Sequence, residues 1–158
     1  MTKKMIYIAS PFFTPTQLIA VEMVENIIRK YNMAFYSPRL DGVLQNMTPE
    51  QRVANAPKTF KRNCVQIANA SCILAILDEK DSGTTFELGF AYACRRYTLV
   101  NNRFRIFGYR NNPAPTMNIM LRQCLDAFVE SPDQLDLLLK AYAAGQPIAQ
   151  PAPSANVI

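Results

Sequence analysis

Histidine is absent from the chain. That removes Ser-His-Asp triads, histidine general bases and most zinc sites. Any chemistry must rest on carboxylates, tyrosine, lysine, cysteine or amides. Only five of the 158 residues are glycine, and neither GxGxxG nor GxxxxGK[ST] occurs, so the signatures of dinucleotide and triphosphate sites are missing. No apolar run approaches the ~20 residues that span a bilayer. Charged residues make up only 18% against 49% hydrophobic, below the typical charged share of about 25%. Such a chain is not disordered in bulk. The shortage of charge also predicts that part of its surface is covered by other subunits.

The length fits one domain with a substantial core. We expect that domain over residues 1–145, followed by a proline-rich tail over 146–158 carrying Pro147, Pro151 and Pro153. Met1 runs within a few residues into a strand-like segment, with no signal-peptide pattern, so a cytoplasmic location is expected. The net charge of +5 comes from scattered Lys and Arg with no run beyond pairs such as Lys3-Lys4 and Arg95-Arg96. Nucleic acid and membrane are therefore not expected partners, whereas a small anionic or nucleotide-like ligand suits the surface. Cys64, Cys72, Cys94 and Cys124 show no CxxC spacing and sit in apolar contexts, as reduced core residues do.

Hydrophobic patterning places strands at 5–9, 33–36, 72–77, 97–100 and 125–129. A further short strand fits 105–107, within an otherwise irregular stretch over 101–116. Helices fall at 17–31, from Thr48 to about 69 with a turn at Ala56-Pro57, at 86–96, at 118–123 and from Ser131 to about 142. The run Cys72–Leu77 is continuous and apolar, as a central parallel strand is. Strands alternating with helices predict an α/β fold: a single-domain, three-layer, doubly wound parallel sheet of about five strands, flavodoxin- or Rossmann-like. Ligands in such sheets bind beyond the carboxyl ends of the strands, where strand order switches. The loops after Ala9, Tyr36, Leu77 and Val100 are the ones to inspect.

After the central strand, Asp81 and Glu87 bracket a Gly-Thr turn and a helix start. A Glu in the first turn is kept ionised by the helix dipole and could attack an electrophilic sugar carbon. Asp81 could exchange a proton with a leaving group. Equally, Glu87 could stabilise the helix terminus and Asp81 could be a turn residue. Phe12 and Phe13 suit stacking on a planar base or anchoring a loop to the core. Tyr7 reads as a half-buried strand residue or as the partner of a catalytic carboxylate. Arg39 and Asp41, in the loop after the second strand, suit contacts to a base or phosphate, or a solvated turn.

Three motifs occur in order: Tyr7-x-Ala9-x-Pro11-Phe12-Phe13, Asp81-x-Gly83-Thr84-x-x-Glu87-x-Gly89 and Asn118-x-Met120-Leu121. Together the chain resembles the nucleoside 2-deoxyribosyltransferases over residues 5–142. The resemblance implies exchange of the base on a 2'-deoxynucleoside, without metal or organic cofactor. It implies that Glu87 is the nucleophile at C1', that Tyr7 orients it, and that Asp81 contacts the base and shuttles its proton. Phe13 and Gln17 match residues lining the same pocket, and Phe12, Gly83, Thr84 and Met120 join the substrate-binding set through the motifs. Asn118, otherwise a helix cap, matches an Asn that reaches from a neighbouring subunit to the sugar 5'-hydroxyl. The implied partners are 2'-deoxynucleosides and free purine or pyrimidine bases, in a homo-oligomer built from dimers, up to a hexamer.

Two positions depart from the family pattern. Asn63, otherwise an exposed helical residue, stands where many members carry an Asp near the base. An amide donates and accepts hydrogen bonds but does not titrate, which leaves proton transfer to Asp81 or water. The C-terminal carboxylate that some members lend to a neighbour's site is not carried over to the proline-rich tail. Two other readings remain at this point: a deoxynucleoside or deoxynucleotide N-glycosidase with water as acceptor, and a non-catalytic nucleotide-binding module. The Pro-Phe-Phe loop argues against a phosphate pocket, and the joint presence of Tyr7, Asp81 and Glu87 argues against binding alone.

Overall fold

The computed structural model describes residues 4–41, 47–97, 104–111 and 116–148. Strands β1 (Met5–Ala9), β2 (Ala34–Tyr36), β3 (Cys72–Ile76), β4 (Arg105–Tyr109) and β5 (Ala127–Val129) form one parallel sheet in the order β2-β1-β3-β4-β5. Helices α1 (Pro15–Lys30), α2 (Pro49–Asn69), α3 (Ser82–Arg96), α4 (Ile119–Cys124) and α5 (Pro132–Ala143) cover it on both faces. This is the expected three-layer α/β domain.

The period of two along each strand divides the core. Ile6, Ile8, Leu74, Ile76, Phe107 and Tyr109 pack on α1 and α5. Tyr7, Ala9, Ile73, Ala75 and Ile106 pack on the face covered by α2, α3 and α4. Both β1 and β3 are therefore buried on two sides, which explains their near-continuous apolar sequence. The chain leaves β1 for β2 on one side and returns to β3 on the other, so the strand order switches between β1 and β3.

Helix starts follow their caps. Thr14 and Thr48 each form a capping box, with Gln17 and Gln51 reaching back to the cap backbone, and Ser131 caps α5. Four expectations change. First, α2 runs unbroken through Pro57. Pro57 has no N–H for the carbonyl of Val53, but both residues are exposed, so water can take that carbonyl. Second, α3 starts at Ser82 rather than Phe86, because the Asp81 side chain accepts from the Thr84 backbone N–H and serves as N-cap.

Third, Tyr97 ends α3 as its C-cap rather than opening a strand, and 98–100 lie outside the described residues. The strand paired with β3 is Arg105–Tyr109, in full five-residue register and longer than the segment expected near 105–107. Gly108 obscured it, since glycine weakens a strand pattern. The position needs glycine all the same: a Cβ there would stand 2.7 Å from Leu125 Cδ1 and 3.1 Å from Phe128 Cδ2. Fourth, β5 begins at Ala127, because Leu125 caps α4 and Asp126 bonds Arg95 and the Ile106 backbone N–H. The tail from 149 onward lies outside the described residues.

Candidate active site

The strand-order switch opens a cleft above β1 and β3. The β1–α1 loop supplies Ser10, Phe12 and Phe13; the turn Pro38–Asp41 supplies Pro38. Helix α2 adds Thr59, Arg62 and Asn63, and the start of α3 adds Asp81, Gly83, Thr84 and Glu87. The cleft encloses about 170 Å³ among the described residues, less than the ~300 Å³ at which small-molecule pockets usually begin. A wider depression of about 520 Å³ lies along α1, with Ile19, Met23 and Ile27 beside Lys30 and Asp136. It is shallow, lies away from the strand ends, and holds one ion pair rather than convergent polar groups. The smaller cleft is the candidate site.

Glu87 and Tyr7 form its centre. Tyr7 is fully buried on β1, on the face toward α2 and α3. Its Oη donates to Glu87 Oε1 at 2.5 Å, the length of a charge-assisted bond. Burial, with Glu87 alongside, drives the Tyr7 phenol far above its ordinary pKa, so it keeps its proton and remains a donor. Glu87 lies one turn further along α3 than a first-turn residue, contrary to the expectation that the dipole holds it ionised. Burial instead pushes its carboxyl up to about 7; the Tyr7 hydrogen bond lowers it and the neighbouring Asp81 charge raises it. Tyr7, not the helix terminus, is thus the local support for the carboxylate form.

Asp81 does two jobs. Its Oδ2 accepts from Thr84 N at 2.6 Å and from Thr84 Oγ1 at 2.8 Å, closing the first turn of α3. It also faces the cleft beside Glu87. Gly83 permits this fold-back, because a Cβ there would lie 3.1 Å from Asp81 Oδ2. The Phe12 and Phe13 rings stack at 5.0 Å between centroids, and Phe13 is 72% exposed. Phe13 is a rim group rather than a core anchor, whereas Phe12 packs against the core beside the cleft.

Gln17 does not line the cleft. Its Oε1 accepts from the Phe13 and Thr14 backbone N–H groups, and its Nε2 donates to Glu79 Oε2 at 2.7 Å. It holds the Phe-Phe loop and ties it to the β3–α3 loop. Asn118 and Met120 are not brought to this cleft either: the Asn118 side chain caps α4 by accepting from Met120 N, and Met120 is 76% exposed. Arg39 does not line the cleft. It makes a forked pair with the fully buried Glu25, at 2.8 and 2.7 Å, which pins the turn to α1. Asp41 instead accepts a hydrogen bond from the Tyr36 hydroxyl and pairs with Arg62 at 2.9 Å.

Sequence reasoning missed Thr59 and Arg62. Their signal is helical: Thr59, Arg62 and Asn63 fall at i, i+3 and i+4 on one face of α2. Ser10 and Pro38 carry no chemical signal of their own; they are walls, in the two loops after Ala9 and Tyr36 that the sequence marks for inspection.

A family model described as nucleoside 2-deoxyribosyltransferase matches residues 6–137, spanning every cleft residue named above. The chain belongs to that family. Among solved structures it is similar to a 2-deoxyribosyltransferase from Bacillus psychrosaccharolyticus, with 26% identity, 94% of this chain and 99% of that chain covered, and a TM-score of 0.71. A conserved protein from Enterococcus faecalis V583 shares the fold at 16% identity and TM-score 0.64, covering 89% of this chain and 99% of that one. A search of curated proteins finds no match. As a nucleoside 2-deoxyribosyltransferase family member, the chain has nucleosides and bases as its substrate class. Among the described residues no helix is long and apolar enough to cross a membrane.

Proposed function

We propose that this chain transfers the 2-deoxyribosyl group between nucleobases through a covalent intermediate on Glu87. The observation that carries the reading is the Tyr7–Glu87 hydrogen bond at the floor of the switch-point cleft. One carboxylate oxygen is held by Tyr7, and Glu87 Oε2 is the atom for attack. It forms a bond to C1' as the C1'–N bond breaks. The electron pair leaves with the base, which takes a proton from water or from Asp81 in its protonated form. The deoxyribosyl ester then meets a second base, whose ring nitrogen displaces Glu87 and gives up its proton to the same acceptor. Two inversions give net retention and ping-pong kinetics.

Asp81 has Oδ2 committed to Thr84, so Oδ1 is the oxygen for the base. Phe12 and Phe13 provide a stacking edge. The small cleft calls for a further wall over the sugar. Asn118 of a neighbouring copy fits that task, since Asn118 and Met120 stand exposed and away from their own cleft. The functional unit is then a homo-oligomer.

Thymidine incubated with adenine and resolved by chromatography tests the reading. Deoxyadenosine plus free thymine is the expected result, with deoxyinosine plus adenine as the pair for a purine-restricted enzyme. Thymine with free deoxyribose and no new nucleoside would assign hydrolysis instead. No turnover of either pair would leave a binding module.

A further inference from the structure

Tyr36 has one hydroxyl proton and two apparent acceptors. Its Oη donates to Asp41 Oδ2 and lies 3.3 Å from the side-chain amide of Asn63, drawn with Oδ1 toward the hydroxyl. The Asp41 contact is much the shorter, and Asp41 Oδ2 is also 2.9 Å from Arg62 Nε. Asp41 therefore takes the proton. The remaining Tyr36 lone pairs can only accept, from the Arg62 guanidinium and from the amide, so the amide atom facing them must be a donor. Oxygen and nitrogen of an amide are told apart by their hydrogen-bond partners. That places Asn63 Nδ2 on Tyr36 and turns Asn63 Oδ1 the other way, toward the cleft that Asn63 lines.

From this chain we infer that Asn63 presents a fixed hydrogen-bond acceptor to the base and selects aminobases over oxobases. The inference rests on reading the cleft as a nucleobase site. Adenine and cytosine carry an exocyclic amino donor far from the glycosidic nitrogen, where guanine and thymine carry an oxygen. An acceptor held against an oxygen leaves both unpaired, which is the costly case. Tyr36 acts here as a positioning residue. Its ring also stacks on Tyr7 at 5.5 Å, so Tyr36→Phe keeps the stack beneath the nucleophile while removing the amide's anchor together with the hydroxyl's bond to Asp41.

The test is calorimetric binding of free adenine, hypoxanthine, cytosine and uracil to the intact protein, run beside base-exchange rates. The wild type should bind adenine over hypoxanthine, and cytosine over uracil, by about tenfold or more. Asn63→Leu should bring both ratios close to one. Asn63→Asp, which offers only acceptor oxygens, should keep the amino preference. Tyr36→Phe should flatten the ratios, because a freed amide can offer either end. A wild type without preference, a preference for oxobases, or ratios unchanged in Asn63→Leu would overturn the inference. Selective binding without base exchange would sink the transferase reading and leave the Asn63 assignment standing.

Discussion

Tyr7 Oη and Glu87 Oε1 meet at 2.5 Å across 80 positions of sequence. One belongs to the first strand and the other to the second turn of α3, so the pair exists only when β1, β3 and α3 are assembled. Removing the hydroxyl takes away the one contact among the described residues that favours the charged form of Glu87. Tyr7→Phe is expected to slow the glycosyl-transfer step by about 10- to 100-fold. It should also move the acidic limb of the pH–rate profile upward. A slower enzyme with an unmoved limb would assign Tyr7 to packing alone.

The wild-type profile has a definite sign. In the proposed reaction only ionised Glu87 attacks, and burial has lifted its carboxyl to about 7. kcat/KM for the deoxyribosyl donor should fall about tenfold per pH unit below that value and level off above it. A profile flat between pH 5 and 8 would contradict the burial of the nucleophile.

The same burial acts on stability. The folded carboxyl sits at about 7 against an ordinary 4.5, so the fold favours the neutral form. The benefit is full below the unfolded value and is lost as pH rises from there to about 7. Glu87→Gln stays neutral throughout. It should exceed the wild type in stability at pH 8, by up to about 3 kcal/mol, and match it near pH 4, while base exchange drops by at least about 10^3-fold. Urea denaturation at the two pH values makes the comparison.

Asn118 allows a test of the shared site that does not depend on a single loss of activity. Glu87→Ala and Asn118→Ala should each be nearly inactive as homo-oligomers. Mixed and re-assembled, they should recover part of the wild-type rate, because some sites then draw both intact residues from different chains. Light scattering should give a multiple of the 17.8 kDa chain mass. Failure of mixing to restore any turnover would confine Asn118 to its helix-capping bond.

Gly108 gives a prediction about the fold alone. Gly108→Ala forces a methyl against Leu125 and Phe128 at 2.7 and 3.1 Å. The strain should cost about 1–3 kcal/mol, read as a lower urea midpoint with an unchanged slope. Specific activity of the folded fraction should hold, since β4 lies one strand away from the switch between β1 and β3.

The readable parts of this molecule are those whose physics is local. Apolar runs marked β1 and β3, capping residues marked the starts of α1, α2 and α5, and three spaced motifs led to Tyr7, Asp81 and Glu87. What escaped depends on distant partners. Residues 105–107 read as a short strand, but its continuation through 108–109 stays hidden until Leu125 and Phe128 are seen to require Gly108. Asp81 looked like a loop residue because its capping role needs the Thr84 amide in place. Arg39 resembled a ligand contact because nothing in the sequence reveals that Glu25 lies wholly inside. Gln17 fell into the site by motif, whereas its amide is spent on loop backbone and on Glu79.

The double duty of Asp81 bears on how silent relatives should be recognised. A lineage that abandons the proposed chemistry is free to lose Glu87, whose buried carboxyl the fold does not need, but dropping Asp81 also uncaps α3, at about 1 kcal/mol. Folding alone would therefore preserve that aspartate long after turnover had gone. Its presence is a poor marker of a working enzyme, as is that of the core residue Tyr7, and Glu87 is the better one.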